Sequence, residues 1–117
     1  MKRILVAEDN DSNYMLMGYI LKKDYEFFRA KNGQEAVEKA LAEKPDLVLM
    51  DIKMPVMDGL EATRAIKAQV PDLPVIALTA NAFDSDRMTA KEAGCDDFLS
   101  KPVNAALCLQ TIKKHLE

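Results

Sequence analysis

Two rhythms of apolar residues alternate along the chain. Short apolar runs recur at intervals of roughly 20 to 25 residues, with segments of helical spacing between them. Arg3 to Ala7, Tyr25 to Ala30, Leu47 to Met50, Val75 to Thr79 and Asp97 to Ser100 read as strands. Leu47 to Met50 and Val75 to Leu78 are apolar throughout, the pattern of strands covered on both faces; Tyr25 to Ala30 is less apolar and reads as nearer an edge. Helical spacing joins Asn13, Leu16, Met17, Ile20 and Leu21, then Ala36, Val37, Ala40 and Leu41, then Leu60, Ala62, Thr63, Ile66 and Val70. The stretch Asp84 to Ala93 is weakly amphipathic, with Met88 and Ala93 as anchors, and Leu107, Leu109, Ile112 and Leu116 mark a last helix. Asp9, Asn10 or Asp11, then Asn32, Asp58 and Asn104, stand where helices begin, and Gly94 stands where one ends.

Strands alternating with helices imply right-handed crossovers and a parallel sheet with helices on both faces, so the expected fold class is α/β. The whole chain, 1–117, reads as one domain, long enough to bury a core without staples. Its net charge is -3 with acids and bases interspersed, so it lacks the basic patch that nucleic-acid binding needs. No apolar run approaches the roughly 20 residues of a membrane span, nor the shape of a signal peptide. The expectation is a cytoplasmic domain without membrane contact. Cys95 and Cys108 form no Cys-x-x-Cys pair and read as small buried hydrophobes. His115, near the end of the last helix, suits the partial negative charge there.

The candidate chemistry lies where the strands end. Glu8 and Asp9 follow the first, Asp51 the third, Thr79 ends the fourth and Lys101 follows the fifth. In a doubly wound sheet these exits share one edge. One acid at a strand end is ordinarily a helix cap, but three acids crowded there repel. Two carboxylates about 4 Å apart cost roughly 4 kcal/mol at an effective dielectric near 20. The cluster therefore calls for a cation or a retained proton. Hard oxygen ligands with room for water suit Mg²⁺. With a hydroxyl and an ammonium nearby, this is equipment for phosphoryl transfer to a carboxylate.

The pieces ILVAEDN, MDIKMPVMDGLEATRAI, PVIALTANAF and AGCDDFLSKPV resemble, from end to end, a response-regulator receiver domain of two-component phosphorelay signalling. The resemblance implies a flavodoxin-like (βα)5 fold with strand order 2-1-3-4-5. A member of this family is a standing example of that topology, so the order comes with the family and not from the residue pattern. It further implies that Asp51 accepts a phosphoryl group from a phosphohistidine, and that Glu8, Asp9, Asp51 and the backbone carbonyl of Lys53 hold Mg²⁺. Thr79 and Lys101 then bind phosphoryl oxygens, with Lys101-Pro102 a cis peptide. Thr79 and Phe98 form the switch, Phe98 standing where Tyr is frequent, and Lys53 and Asn81 tune the lifetime of the phosphoryl group.

Turning the first helix so that Leu16, Met17, Ile20 and Leu21 face the core leaves Tyr14, Met15, Gly18 and Tyr19 outward. By resemblance this face docks the donor, a histidine kinase or a histidine phosphotransfer domain, with Gly18 letting a partner helix approach. Two other readings stay open. A doubly wound enzyme or nucleotide binder would need a Gly-rich phosphate loop, but Glu8-Asp9-Asn10 occupies its place. A receiver-like interaction module acting without phosphorylation would not need every acidic and phosphate-contacting position filled. The wording ALTANAF and DDFLSKP is most similar to receivers of hybrid histidine kinases, so the chain is either such a domain or a free-standing regulator.

Overall fold

A computed structural model describes residues 1–80 and 84–116 of the chain, with the side chains of 1–80 and 87–116. Strands β1 (Arg3–Ala7), β2 (Glu26–Ala30), β3 (Leu47–Asp51), β4 (Val75–Thr79) and β5 (Asp97–Ser100) alternate with helices. These are α1 (Asp11–Leu21), α2 (Gly33–Glu43), α3 (Gly59–Gln69), α4 (Asp84–Ala93) and α5 (Ala105–Leu116). The strands form one parallel sheet in the order β2-β1-β3-β4-β5. This is the flavodoxin-like arrangement, with central β3 and β4 wholly buried and β2 and β5 partly exposed at the edges.

Alternation along each strand divides the core in two. Ile4, Val6, Leu47, Leu49, Ile76 and Leu78 meet Met17, Ile20 and Leu21 of α1 and Cys108 and Ile112 of α5. Leu5, Ala7, Val48, Met50 and Val75 meet Ala36 and Ala40 of α2 and Ala62 and Ile66 of α3 on the other face. The helix starts are fixed locally by side chains that accept from orphan amides: Asn10 from Asn13, Asn32 from Glu35, Asp58 from Glu61 and Asn104 from Leu107. Both cysteines are free, Cys108 buried and Cys95 half-buried, and burial pushes both thiols up, Cys108 to about 11. His115 Nε2 lies 3.1 Å from Asp97 Oδ2, which ties the last turn of α5 to β5. Among the described residues no helix is long and apolar enough to cross a membrane.

Four helix faces differ from the periodicity reading. In α1, Leu16 is exposed, whereas Tyr14, expected outward, packs against the core with its ring 6.0 Å from that of Phe27. Gly18 borders the surface, but a Cβ there would stand 3.2 Å from the Phe27 ring, so its missing side chain makes room for β2 of its own chain. In α4, Ala90 and Ala93 are the buried anchors and Met88 is exposed, because a position two residues before Ala90 lies on the opposite side of a helix. Leu107 in α5 and Leu41 in α2 are exposed; the buried stripes centre on Cys108 and Ile112, and on Ala36 and Ala40.

Candidate functional site

The candidate polar side chains stand at the C-terminal edge of the sheet. β1 and β3 are hydrogen-bonded neighbours, with Ala7 opposite Met50, so the residues that follow them, Glu8 and Asp51, come side by side. β4 and β5 bring in Thr79 opposite Ser100, one residue before Lys101. A cleft of about 460 Å³ opens over this edge, lined by Glu8, Asp9, Asp51, Lys53, Thr79 and Lys101 among others. The structure thus brings together every catalytic and metal-binding candidate of the sequence. Glu8, Asp51 and Thr79 are only 1%, 5% and 8% exposed, deep for polar groups, whereas Asp9 is open to solvent.

Lys101 joins the acids. Its Nζ donates to Glu8 Oε1 at 2.9 Å and lies 3.2 Å from Asp51 Oδ2. The Lys101-Pro102 peptide that precedes α5 is cis, as the resemblance implies. The other oxygens are held by backbone amides: Lys53 N donates to Asp51 Oδ1 at 3.2 Å and Asn10 N to Glu8 Oε2 at 3.3 Å. Burial, with help from the neighbouring Asp51, pushes the Glu8 carboxyl above its ordinary range although Lys101 pulls it back. Burial opposes the charge on Lys101, but its hydrogen bond to Glu8 and the negative charges of Asp51 and Glu8 outweigh it. The Lys101 pKa therefore stands above its usual value.

The donor set fits a divalent cation. Oxygens of Glu8, Asp9 and Asp51 lie within 4.8 Å of one another. Three carboxyl groups share one ammonium in direct contact, that of Lys101, and oxygen-only ligation at an open site is the preference of Mg²⁺. Lys53 contributes backbone at the rim while its side chain is exposed.

The loop between β3 and α3 is seated on backbone. Gly59 N donates to Ile52 O at 2.7 Å, and a Cβ on Gly59 would stand 2.1 Å from the carbonyl oxygen of Asp51 itself. Only a glycine allows α3 to start this close to the end of β3.

The remaining candidates lie elsewhere. Phe98 does not line the cleft; its half-buried ring sits under the Arg87 guanidinium, 4.3 Å from Cζ, in a separate recess between α4 and β5. Met15, Gly18, Tyr19 and Lys22 floor a shallow surface groove of about 170 Å³, which Tyr14 does not join. Asn81 falls outside the described residues. Sequence reasoning missed Arg29, at the same edge of the sheet, whose guanidinium grips the backbone behind Glu8 and Asp9. A charged residue one position before the end of the otherwise largely apolar Glu26–Ala30 strand was the available signal.

The family model for the response regulator receiver domain matches residues 4–113. The polar-differentiation response regulator DivK of Brucella anthropi is 37% identical over 98% of this chain and 96% of its own length. The receiver domain of the sensor histidine kinase PA1611 from Pseudomonas aeruginosa, solved with a magnesium ion coordinated in its active-site cleft, superposes with a TM-score of 0.92. It is 36% identical over 98% of this chain and 97% of that one. The receiver domain of the Saccharomyces cerevisiae response regulator Ssk1, solved with the histidine phosphotransfer protein Ypd1, superposes with a TM-score of 0.91. It is 32% identical over 97% of this chain and 87% of that one. Likeness thus extends equally to a response regulator and to a receiver of a sensor kinase. Sequence, topology and cleft agree: the chain belongs to the response regulator receiver domains, the family that accepts phosphoryl groups in two-component signalling.

Proposed function

We propose that Asp51 is the phosphoacceptor of this domain, and that Glu8, Asp9, Asp51 and the backbone carbonyl of Lys53 hold Mg²⁺ beside it. The observation that carries this reading is the junction of Lys101 with buried Glu8 and Asp51 next to Asp9 in one open cleft. A carboxylate oxygen of Asp51 attacks the phosphorus of a phosphohistidine. The P–N bond breaks, its electron pair returns to the imidazole nitrogen, and an acyl phosphate remains on Asp51. When bound, Mg²⁺ supplies neutralisation of the phosphoryl oxygens and makes a nearby water available for later hydrolysis.

The chain's own groups do the rest. Lys101 already reaches both carboxylates, so a small shift of its Nζ from Glu8 bonds an incoming phosphoryl oxygen. The Thr79 hydroxyl donates to a second oxygen, and Phe98 leaves Arg87 and turns inward as Thr79 moves, which remodels the surface of α4 and β5. The Lys53 side chain, exposed beside the cleft, and Asn81 set how long the phosphoryl group survives. The donor, a histidine kinase or a histidine phosphotransfer protein, docks on the groove of Met15, Gly18 and Tyr19 in α1.

Two measurements test the reading. Phosphoryl transfer from a phosphohistidine donor requires Mg²⁺ and disappears in Asp51→Asn; labelling retained by that variant overturns the assignment. Met15→Glu with Tyr19→Glu slows transfer from a protein donor, and an unchanged rate sinks the docking surface. Gly18 is left alone in this test because any side chain there disturbs Phe27.

A further inference from the structure

We infer that Arg29 is a positioning residue for the divalent cation, acting by fixing the peptide planes that aim the Glu8 and Asp9 carboxylates into the cleft. The inference rests on the Mg²⁺ reading above and extends it to a residue outside the ligand set.

Beyond Ala7 the ladder of β1 ends. Glu8 N still donates to Ala30 O at 3.0 Å, but the carbonyls of Glu8 and Asp9 lie beyond the paired residues of the two strands. Arg29 takes both: Nε donates to Glu8 O at 3.0 Å and Nη2 to Asp9 O at 3.2 Å. The guanidinium is itself held on its other sides. Nη1 pairs with Asp11 Oδ1 at 2.8 Å, and Cζ lies 4.6 Å from the centre of the Tyr14 ring. The Arg29 backbone is tied too, since Lys39 Nζ donates to its carbonyl oxygen. With its side chain only 17% exposed and its planar fork occupied on three sides, Arg29 has little freedom left.

Two carbonyls bound to one rigid fork fix the rotation of two successive peptide units. The Glu8 and Asp9 side chains leave from the α-carbons that these units define. Their convergence with Asp51 then follows from backbone geometry and not from attraction to the ion alone. Outer partners of this kind, which orient ligands without touching the metal, are worth about 10- to 100-fold in affinity.

The sign of the effect separates this role from two bland ones. A cation standing idly near the cleft repels Mg²⁺, so removing it tightens binding. A residue that only stabilises β2 lowers the melting temperature and leaves the affinity of the folded protein alone. A positioning residue weakens Mg²⁺ binding in protein that is still folded.

The experiment is calorimetric titration of MgCl₂ into the wild type, Arg29→Ala and Arg29→Lys at constant ionic strength, with circular dichroism to verify folding. Arg29→Ala is expected to bind about 10- to 100-fold more weakly. Arg29→Lys falls between, because one ammonium covers one carbonyl at a time. Equal or tighter binding by folded Arg29→Ala overturns the inference. If Arg29→Ala does not fold, Arg29→Lys decides: weaker binding supports the role and wild-type affinity refutes it. A wild type that binds no Mg²⁺ refutes the cation reading itself and takes the inference with it, a result distinct from equal affinities.

Discussion

The two halves of the cleft are built differently. On the β1–β3 side the polar groups are cross-braced. Backbone amides hold one oxygen of Glu8 and one of Asp51, Arg29 grips the peptide units of Glu8 and Asp9, and α3 starts in backbone contact with the end of β3. On the β4–β5 side β5 is an edge strand. Among the described side chains of its helix α4, Ala90 and Ala93 are buried and Arg87, Met88 and Thr89 are exposed, and the Phe98 ring is half-buried under an arginine on the surface. The first half presents a ligand set whose geometry precedes any ligand. Among its described residues α4 offers two alanine anchors, and few buried apolar contacts are the property of elements that move. On the proposed reading, the binding step and the switching step draw on different strands of one sheet.

The largest expected effect falls on the braced half. Gly59→Ala puts a methyl about where the Asp51 carbonyl oxygen stands. Backbone cannot yield as a flexible side chain does, so urea denaturation should show a loss of about 3 kcal/mol, at the top of the overpacking range. A loss below about 0.5 kcal/mol, the level of an ordinary surface change, would show the brace to be soft.

Lys101→Met comes next, since it strips buried Glu8 and Asp51 of their ammonium. Breaking a fully buried pair costs roughly 3–5 kcal/mol, and partial exposure of Lys101 reduces this to about 2 kcal/mol at neutral pH. Mg²⁺ should restore part of it. So should lower pH, because the Glu8 carboxyl, which burial already holds above its ordinary range, then takes up a proton. Denaturation at pH 7 and pH 5, with and without Mg²⁺, checks both, and a loss independent of pH and Mg²⁺ would contradict the electrostatic account.

On the β4–β5 half, Arg87→Ala removes a cation–π contact worth about 0.5–1 kcal/mol at an exposed site. If this contact holds the Phe98 ring outward, the inward form of the phosphorylated domain should gain about two- to fivefold in population, read from ring NMR signals. An unchanged population would remove the arginine from the switch.

The smallest effect concerns the start of β5. Burial raises the Asp97 carboxyl, but the hydrogen bond with His115, the Phe98 amide and the charges of Lys114 and His115 outweigh it and hold the carboxyl below its ordinary range. A carboxyl depressed on folding contributes stability above its unfolded pKa, near 4, and loses it as pH falls through the folded value. His115→Ala should therefore flatten the acid limb of the stability curve without changing its form above pH 7. An acid limb as steep as that of the wild type would assign the depression to the Phe98 amide instead.

How much of this could be read in the sequence depended on the distance over which each signal acts. Strand exits were legible because a buried strand is a short continuous apolar run, and Asn32, Asp58 and Asn104 because capping is a local event. The rotation of α1 was not. Tyr14, Met15, Leu16, Met17, Tyr19, Ile20 and Leu21 place apolar surface nearly all round the helix, so periodicity cannot choose the buried side. Packing against Phe27 chose it. Arg29 escaped for a related reason: its partners Glu8 and Asp9 lie 21 and 20 residues away, and only the pairing of β1 with β2 brings them into reach.

The stacking of Arg29 on Tyr14 also gives the protein an optical handle. The chain has no tryptophan and three tyrosines, so tyrosine emission is not masked by a brighter residue. Tyr25 is buried in the core and should be silent to events at the surface. Tyr19 is exposed beside Met15 and should report a docked partner, and Tyr14 rests against the arginine that grips the backbone of Glu8 and Asp9. Single Tyr→Phe replacements would assign the emission to each ring. One unlabelled chain could then show cation binding and donor docking as two separate colourless signals in the ultraviolet.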